Sequence, residues 1–492
     1  MLRKHETSTI IDMQKLTFLI ILAFIIHTSV LSQSCLPDGI MFYSQESIDN
    51  FQTNYPNCTE IEGNVWIAFE NITNVDGLSV LTSIGGHLEL WNYENDTSLN
   101  LSGFINLTSI GGDLNFYSTP LLSLSGFDNL NSIGRDLNIY ECYDLTSLSG
   151  LKSLTSIGRD VSIHYSLLSN LSGLEKLSSI GGDLWIIQTS LTNLSGLDNL
   201  SSIGGDFHIK SNNALENLEG LSSLTDIGGQ FIIGRYGSSY QGNPSLVNLL
   251  GLDNLISIGG KLEIKENDVL TDLSGLENLK FIGGDLTLED NPSLASLTGL
   301  ENLDTLSFGL CLINNEAIES ISALQELSVL GGNIWIQYTN NLSSLSGLEN
   351  INPEYIHKIV LTDNDSLSTC EVKSVCNYLA SAGAEIILMR NAPGCNSKAE
   401  IEQACDAAGT PDFIGVSDFI ISPNPANKEI FVSTKDGVII NEISIYNQLG
   451  QKLLHKKKIV NKIDISILGH GLYVIEIVSN SIKIREKLII SK

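Results

Sequence analysis

Positive charge is scarce in this chain: 27 Lys and Arg stand against 56 Asp and Glu, a formal net charge of −29. The deficit is concentrated. Residues 35–416 carry thirteen Lys/Arg against forty-seven Asp/Glu, a net −34, whereas 417–492 carry eleven against seven and 1–34 three against two. A body this acidic repels phosphate backbones and anionic headgroups, which argues against nucleic acid and anionic lipid as its partners. No phosphate-binding Gly loop, zinc-protease helix or nucleophile elbow occurs, so no enzyme class is signalled by motif. The apolar run from Leu16 to Ile26 is too short for a comfortable membrane span. Placed after Lys15 and followed by small residues, with Val30-Leu31-Ser32 as a cleavage site, it reads as an export signal over 1–34.

What the chain has instead is a repeat. Ser-Gly-Leu, three residues, an apolar pair ending in Ile, Gly-Gly, then an alternating strand recur, as in Ser274–Glu289. The Ile falls at 84, 110, 133, 157, 180, 203, 227, 258 and 282, with Leu306 and Leu330 as degenerate copies; the spacings are 26, 23, 24, 23, 23, 24, 31, 24, 24 and 24. A fixed period in the twenties marks a stacked solenoid, each coil burying its apolar face on its neighbours. Alternation in Asp113-Leu-Asn-Phe116 or Asp183-Leu-Trp-Ile186 places Leu, Phe and Ile inside. Gly-Gly before the strand suits a corner needing positive φ and close backbone approach, and Asn243-Pro244 and Asn291-Pro292 supply further corners. Taking Val65–Phe69 as the first strand and Lys358–Leu361 as the last gives about thirteen coils and a rod of about 60 Å. All length variation lies after the strand.

The ends carry the cysteines. Cys35 and Cys58 bracket a short helix that Ser44 can cap, with Ile48 and Phe51 on one face. Cys370, Cys376, Cys395 and Cys405 cluster at the other end, where Val372, Val375 and Leu379 suggest one helix and Ser397-Lys-Ala-Glu400 a capping box opening another. A solenoid must cover both ends of its core, so these six cysteines read as disulfides of two caps, over 35–63 and 370–409, with the solenoid at 64–369 between them. The pairing of the last four stays open. Cys142 and Cys311 stand alone in the repeats.

The repeat resembles the receptor L-domain class of leucine-rich repeats over roughly 35–409, which implies binding of a protein or glycan and assigns no binding residue. After a linker at 410–416, the elements Ser422-Pro-Asn-Pro, Tyr446-Asn-Gln-Leu-Gly450 and Gly471-Leu-Tyr fall in order. They resemble the C-terminal sorting domain of the type IX secretion system over 417–492. That implies a small Ig-like β-sandwich engaged by the secretion machinery, on the surface of a Gram-negative bacterium or released from it. The expected fold is thus mostly β: a right-handed parallel β-solenoid of the leucine-rich-repeat, L-domain-like kind, followed by the sandwich.

Two features rise above scaffold. Asp113, Asp136, Asp160, Asp183 and Asp206, with Asp285 later, form an acidic ladder at the strand entrance. Either each Asp caps backbone N–H groups at the corner, helped by Arg135 and Arg159, or Ca²⁺ bridges the coils. Otherwise no cofactor is expected. The second feature is an outward column at the strand exit, Trp91, Tyr117, Tyr140 and His164, beside a polar column of Glu89, Asn115, Asn138 and Ser162. It ends at Ile187 and Lys210. Longer segments at the same edge, Asn92–Asn100 and Gly234–Gly242 with Arg235 and Tyr236, bracket it. The expected function is recognition or adhesion at the cell surface through this face, binding an extracellular protein or glycan. The alternatives are a carbohydrate-active β-solenoid enzyme and a purely architectural coat.

Overall fold

The computed structural model describes residues 33–491 apart from 69–70, 92–98, 236, 238–240, 409–418, 435–439, 449, 458–461 and 480–481. Residues 1–32 of the export signal and the 410–416 linker therefore lie outside the described residues.

Each repeat closes one coil with two strands. A two-residue strand at the Ile, such as Ser179–Ile180, pairs in parallel with its equivalents one coil away, Ser156–Ile157 and Ser202–Ile203. The alternating segment forms the longer strand, as in Leu184–Thr189 between Val161–Ser166 and Phe207–Lys210. Stacked, they make a short-strand sheet of 13 strands and a long-strand sheet of 15. The long sheet exceeds the repeat count because both caps add to it. Ile40–Phe42 pairs with Val65–Ala68 at one end, and Ile386–Asn391 pairs with Lys358–Asn364 at the other. Neither added strand carries the Ile-Gly-Gly signature, which is why the period alone misses them.

Between the sheets lies a single ladder of Leu, Ile and Phe that runs from Phe42 to Ile401. In the coil of Ser274–Glu289, Leu276, Leu279, Ile282, Leu286 and Leu288 are all fully buried. Positive φ falls elsewhere than at Gly-Gly: it is the glycine of Ser-Gly-Leu, at +112° in Gly275, that takes it in eight coils. A Cβ there would stand 2.1 Å from the Leu249 carbonyl oxygen of the coil below. The Gly-Gly corner is glycine for the second reason only, close approach, since a Cβ on Gly181 would stand 2.1 Å from the Gly158 oxygen. At the strand exit the chain turns inward through one left-handed residue that is not glycine, for example Glu266 (+56°), Asp290 (+58°) and Asn314 (+54°). The residue after it is a buried asparagine. Asn267 donates its backbone N–H to Asn291 Oδ1 at 3.1 Å, and Asn291 does the same to Asn315 Oδ1 at 3.1 Å. The Asn of both Asn-Pro corners belongs to this buried ladder.

The ends are capped as their sequences suggest. Ser44 closes a capping box at the helix Gln45–Asp49, and Ile48 and Phe51 are buried. At the other end are helices Lys373–Leu379 and Lys398–Ala408; Glu400 reaches past the helix start to accept from the N–H of Gly394 (2.7 Å) and Asn396 (3.2 Å). The disulfides are Cys35–Cys58, Cys370–Cys395 and Cys376–Cys405. The tail is built differently, from antiparallel sheets of three and four strands around a separate core that includes Ile430, Ile445, Ile475 and Leu488.

Candidate functional site

Register decides which side chains leave the long sheet. Leu137, Ile139 and their partners point into the core, so Asn138 and Tyr140 point out, aligned with Asn115 and Tyr117 on one side and Ser162 and His164 on the other. Glu89 and Trp91 align with Asn115 and Tyr117. The two outward columns are therefore those expected. Asn138 Nδ2 donates to Asn115 Oδ1 at 2.8 Å, a rung of the polar column.

The aromatic column is less even than its spacing suggests. Tyr117 and Tyr140 are tilted at 6.3 Å between ring centroids, whereas Tyr140 and His164 stack at 4.4 Å. His164 is buried, and that burial, with Lys210 nearby, pushes its imidazole down to about 4. The ring is thus neutral at neutral pH and takes part by stacking. The column ends at Ile187 and Lys210 as expected, but the rings do not stop there. They shift one column over, where Trp185 and His208 stack at 3.8 Å and the Lys210 ammonium lies 4.6 Å from the Trp185 ring centroid.

Tyr236 lies outside the described residues, as does most of the segment after Trp91. Arg235 sits at a charge cluster rather than standing open to a ligand: its guanidinium pairs with Glu266 (3.0 Å), Glu289 (3.0 Å) and Asp290 (3.1 Å). These belong to the next two coils, so Arg235 pins the long repeat to the face. Lys265 continues the pairing to Glu263 and Glu289.

The sequence reading misses the far end of the same face. Cys311, Trp335, Val360 and Ile387 align as one outward column, and Thr362 and Met389 align beside it. Trp335 (41%), Ile387 (44%) and Met389 (45%) are among the exposed large apolar side chains. With Trp66, aligned with Glu89, the pattern is complete: Trp66, Trp91, Trp185 and Trp335, all four tryptophans of the chain, leave the outer face of this one sheet. The signal was available. Each Trp sits between two apolar residues of an alternating strand, or follows one.

The aspartate ladder has a structural task. Asp113 Oδ1 accepts the N–H of Asp136 (3.2 Å), Asp136 that of Asp160 (3.1 Å), Asp160 that of Asp183 (2.8 Å) and Asp183 that of Asp206 (2.7 Å). Asp206 and Asp285 serve Gln230 and Gly309 alike. Arg135 and Arg159 lie 3.6 Å from Asp113 and Asp136. Each carboxylate therefore bonds the corner of the following coil, which offsets the roughly 1 kcal/mol of repulsion between rungs. Among the described residues no group of three His, Cys, Asp or Glu gathers as a metal site. Burial pushes the Cys142 and Cys311 thiols up to about 11, so both stay protonated and neither is a nucleophile at neutral pH.

Comparison with known protein families finds two matches, one to part of the rod and one to the tail. Residues 57–166 match the receptor L domain, and residues 421–491 match the secretion system C-terminal sorting domain. No curated protein matches the chain.

Proposed function

We propose that this is an exported recognition protein that binds an extracellular protein or glycan on the outer face of its long sheet. The sorting-domain match implies secretion or surface attachment, and the L-domain match suggests a binding role rather than catalysis. Among the described residues no helix is long and apolar enough to cross a membrane. The observation that carries the reading is the placement of the four tryptophans. The interior is filled by Leu, Ile and Phe, so packing of the core does not require them. Trp and Tyr set in a flat, partly polar surface are the residues that anchor protein edges and stack on sugar rings. Trp91, Tyr117, Tyr140 and His164 form a strip of about 15 Å, flanked by Glu89, Asn115 and Asn138, and Trp335 with Ile387 and Met389 forms a second platform at the other end.

The test is a glycan and protein array probed with the exported protein, followed by variants on any ligand found. Changing Trp91, Tyr117 and Tyr140 together to Ala should abolish binding and leave the melting temperature within a few degrees. Binding that survives in a folded triple variant moves the site elsewhere. Incubation with the same polysaccharides should release no new reducing ends or unsaturated sugars; their appearance would establish the enzyme alternative.

A further inference from the structure

One buried cation joins the tail to the rod. In the tail strand Ile482–Ile490, Arg485 donates through Nε to Glu476 Oε2 of the neighbouring strand at 2.9 Å. Its Nη1 turns the other way, donating to Thr305 Oγ1 of the rod at 2.8 Å and pairing with Asp304. Only 6% of the Arg485 side chain is exposed. Tyr355 of the rod donates its hydroxyl to the Arg485 carbonyl at 2.8 Å. Beside these contacts a cleft of about 740 Å³ lies between rod and tail, with Asp226, Phe281 and Glu326 on the rod side and Tyr446 and Lys452 on the tail side.

A guanidinium has five N–H donors, and covering one is costly unless its donors are met. Among the described residues of the tail, Arg485 makes its hydrogen bonds and ion pair with Glu476, while Asp304 and Thr305 meet it from the rod. The charges of the two bodies are also opposed, −34 over 35–416 and +4 over 417–492. The rod residues involved come from different coils: stacking of the short sheet brings Asp226, Phe281 and Thr305 to one flank, and Tyr355 joins them from the 3-10 turn Pro353–Tyr355.

We propose that the short-sheet flank of the solenoid around Asp304, Thr305 and Tyr355 is a docking surface for the chain's own sorting domain, specified by Arg485. Three consequences follow from the geometry. The surface exists only on a folded rod, so an unfolded rod leaves the tail undocked. The contact is non-covalent and does not need the linker, so the tail stays bound after the linker is cut. The outer face of the long sheet is not part of the contact, so docking leaves it open.

The experiment places a specific protease site within 410–416 of the full chain, cuts the folded protein at low ionic strength and follows both fragments by size-exclusion chromatography. Rod and tail should co-elute, and separate as salt is raised. Asp304→Lys, which leaves the tail untouched, should weaken retention by more than about tenfold, as should Arg485→Ala. Tyr355→Phe should weaken it less. The exchanged pair Asp304→Arg with Arg485→Asp should recover part of it. Separation of the unmodified fragments at low salt would overturn the proposal. So would undiminished retention in an Asp304→Lys protein whose circular dichroism matches the parent.

Discussion

In the rod, residues about 24 apart in sequence become parallel neighbours, as Leu262 and Leu286 do, and each side chain sees a near copy of itself above and below. In the tail, neighbours are antiparallel and their separations follow no period, as Val474 with Lys487 and Glu442 with Val478 show. The difference shows in how each body handles buried polar groups. The rod satisfies its corners with ladders, Asn267 to Asn291 to Asn315 inside and Asp160 to Asp183 to Asp206 at the strand entrance. The tail buries an individual ion pair, Arg485 with Glu476, and shares it with the rod. A repeat thus makes polar satisfaction a property of the stack, whereas a sandwich must solve it residue by residue.

Changes confined to one body should separate them. Leu288→Ala empties a fully buried position between adjacent coils and should cost about 2–5 kcal/mol, seen as a lower urea midpoint for the rod. The tail's own core residue Ile475 should, when truncated, shift the tail's transition instead. A single transition moved equally by both changes would show that rod and tail unfold as one body. Reduction comes next: all eight cysteines precede residue 410, and each broken disulfide should cost the rod about 2–4 kcal/mol while sparing the tail. Equal loss in both would contradict the assignment of the disulfides to the caps.

A smaller effect sharpens the account of the ladder. Asp183→Ala removes the acceptor for the Asp206 N–H and should cost about 1–3 kcal/mol, and it should do so equally with and without EGTA. If EGTA alone lowers the melting temperature of the unmodified protein by several degrees, calcium bridges the coils and the hydrogen-bond account of the ladder is incomplete.

Most of the rod was legible because the repeat is itself a structural statement. Ile282 and its equivalents mark one strand, and the alternation that follows marks the other and fixes which residues face out. The misreadings come where one residue type serves two physical needs. Glycine meets both positive φ and close approach, and the sequence alone does not say that Gly275 needs the first and Gly181 only the second. Asn before Pro reads as a turn, yet Asn291 is a buried rung. The strands in the caps lack the motif and escaped notice. The aromatic column was found because four consecutive coils share it; Trp335 was missed because it lies beside the degenerate copy at Leu330, outside that run. Contacts between rod and tail, such as Tyr355 with Arg485, join positions 130 apart without any repeat to announce them.

The central claim is that ligand meets the outer face of the long sheet, and the tryptophans make that directly measurable. All four lie on that face and the tail has none, so intrinsic tryptophan emission reports on this surface alone. Titration of the exported protein with a ligand found on the array should quench or shift the emission along a saturating curve whose midpoint matches the Kd measured independently. A ligand that saturates the protein and leaves the emission of all four tryptophans unchanged would contradict the account.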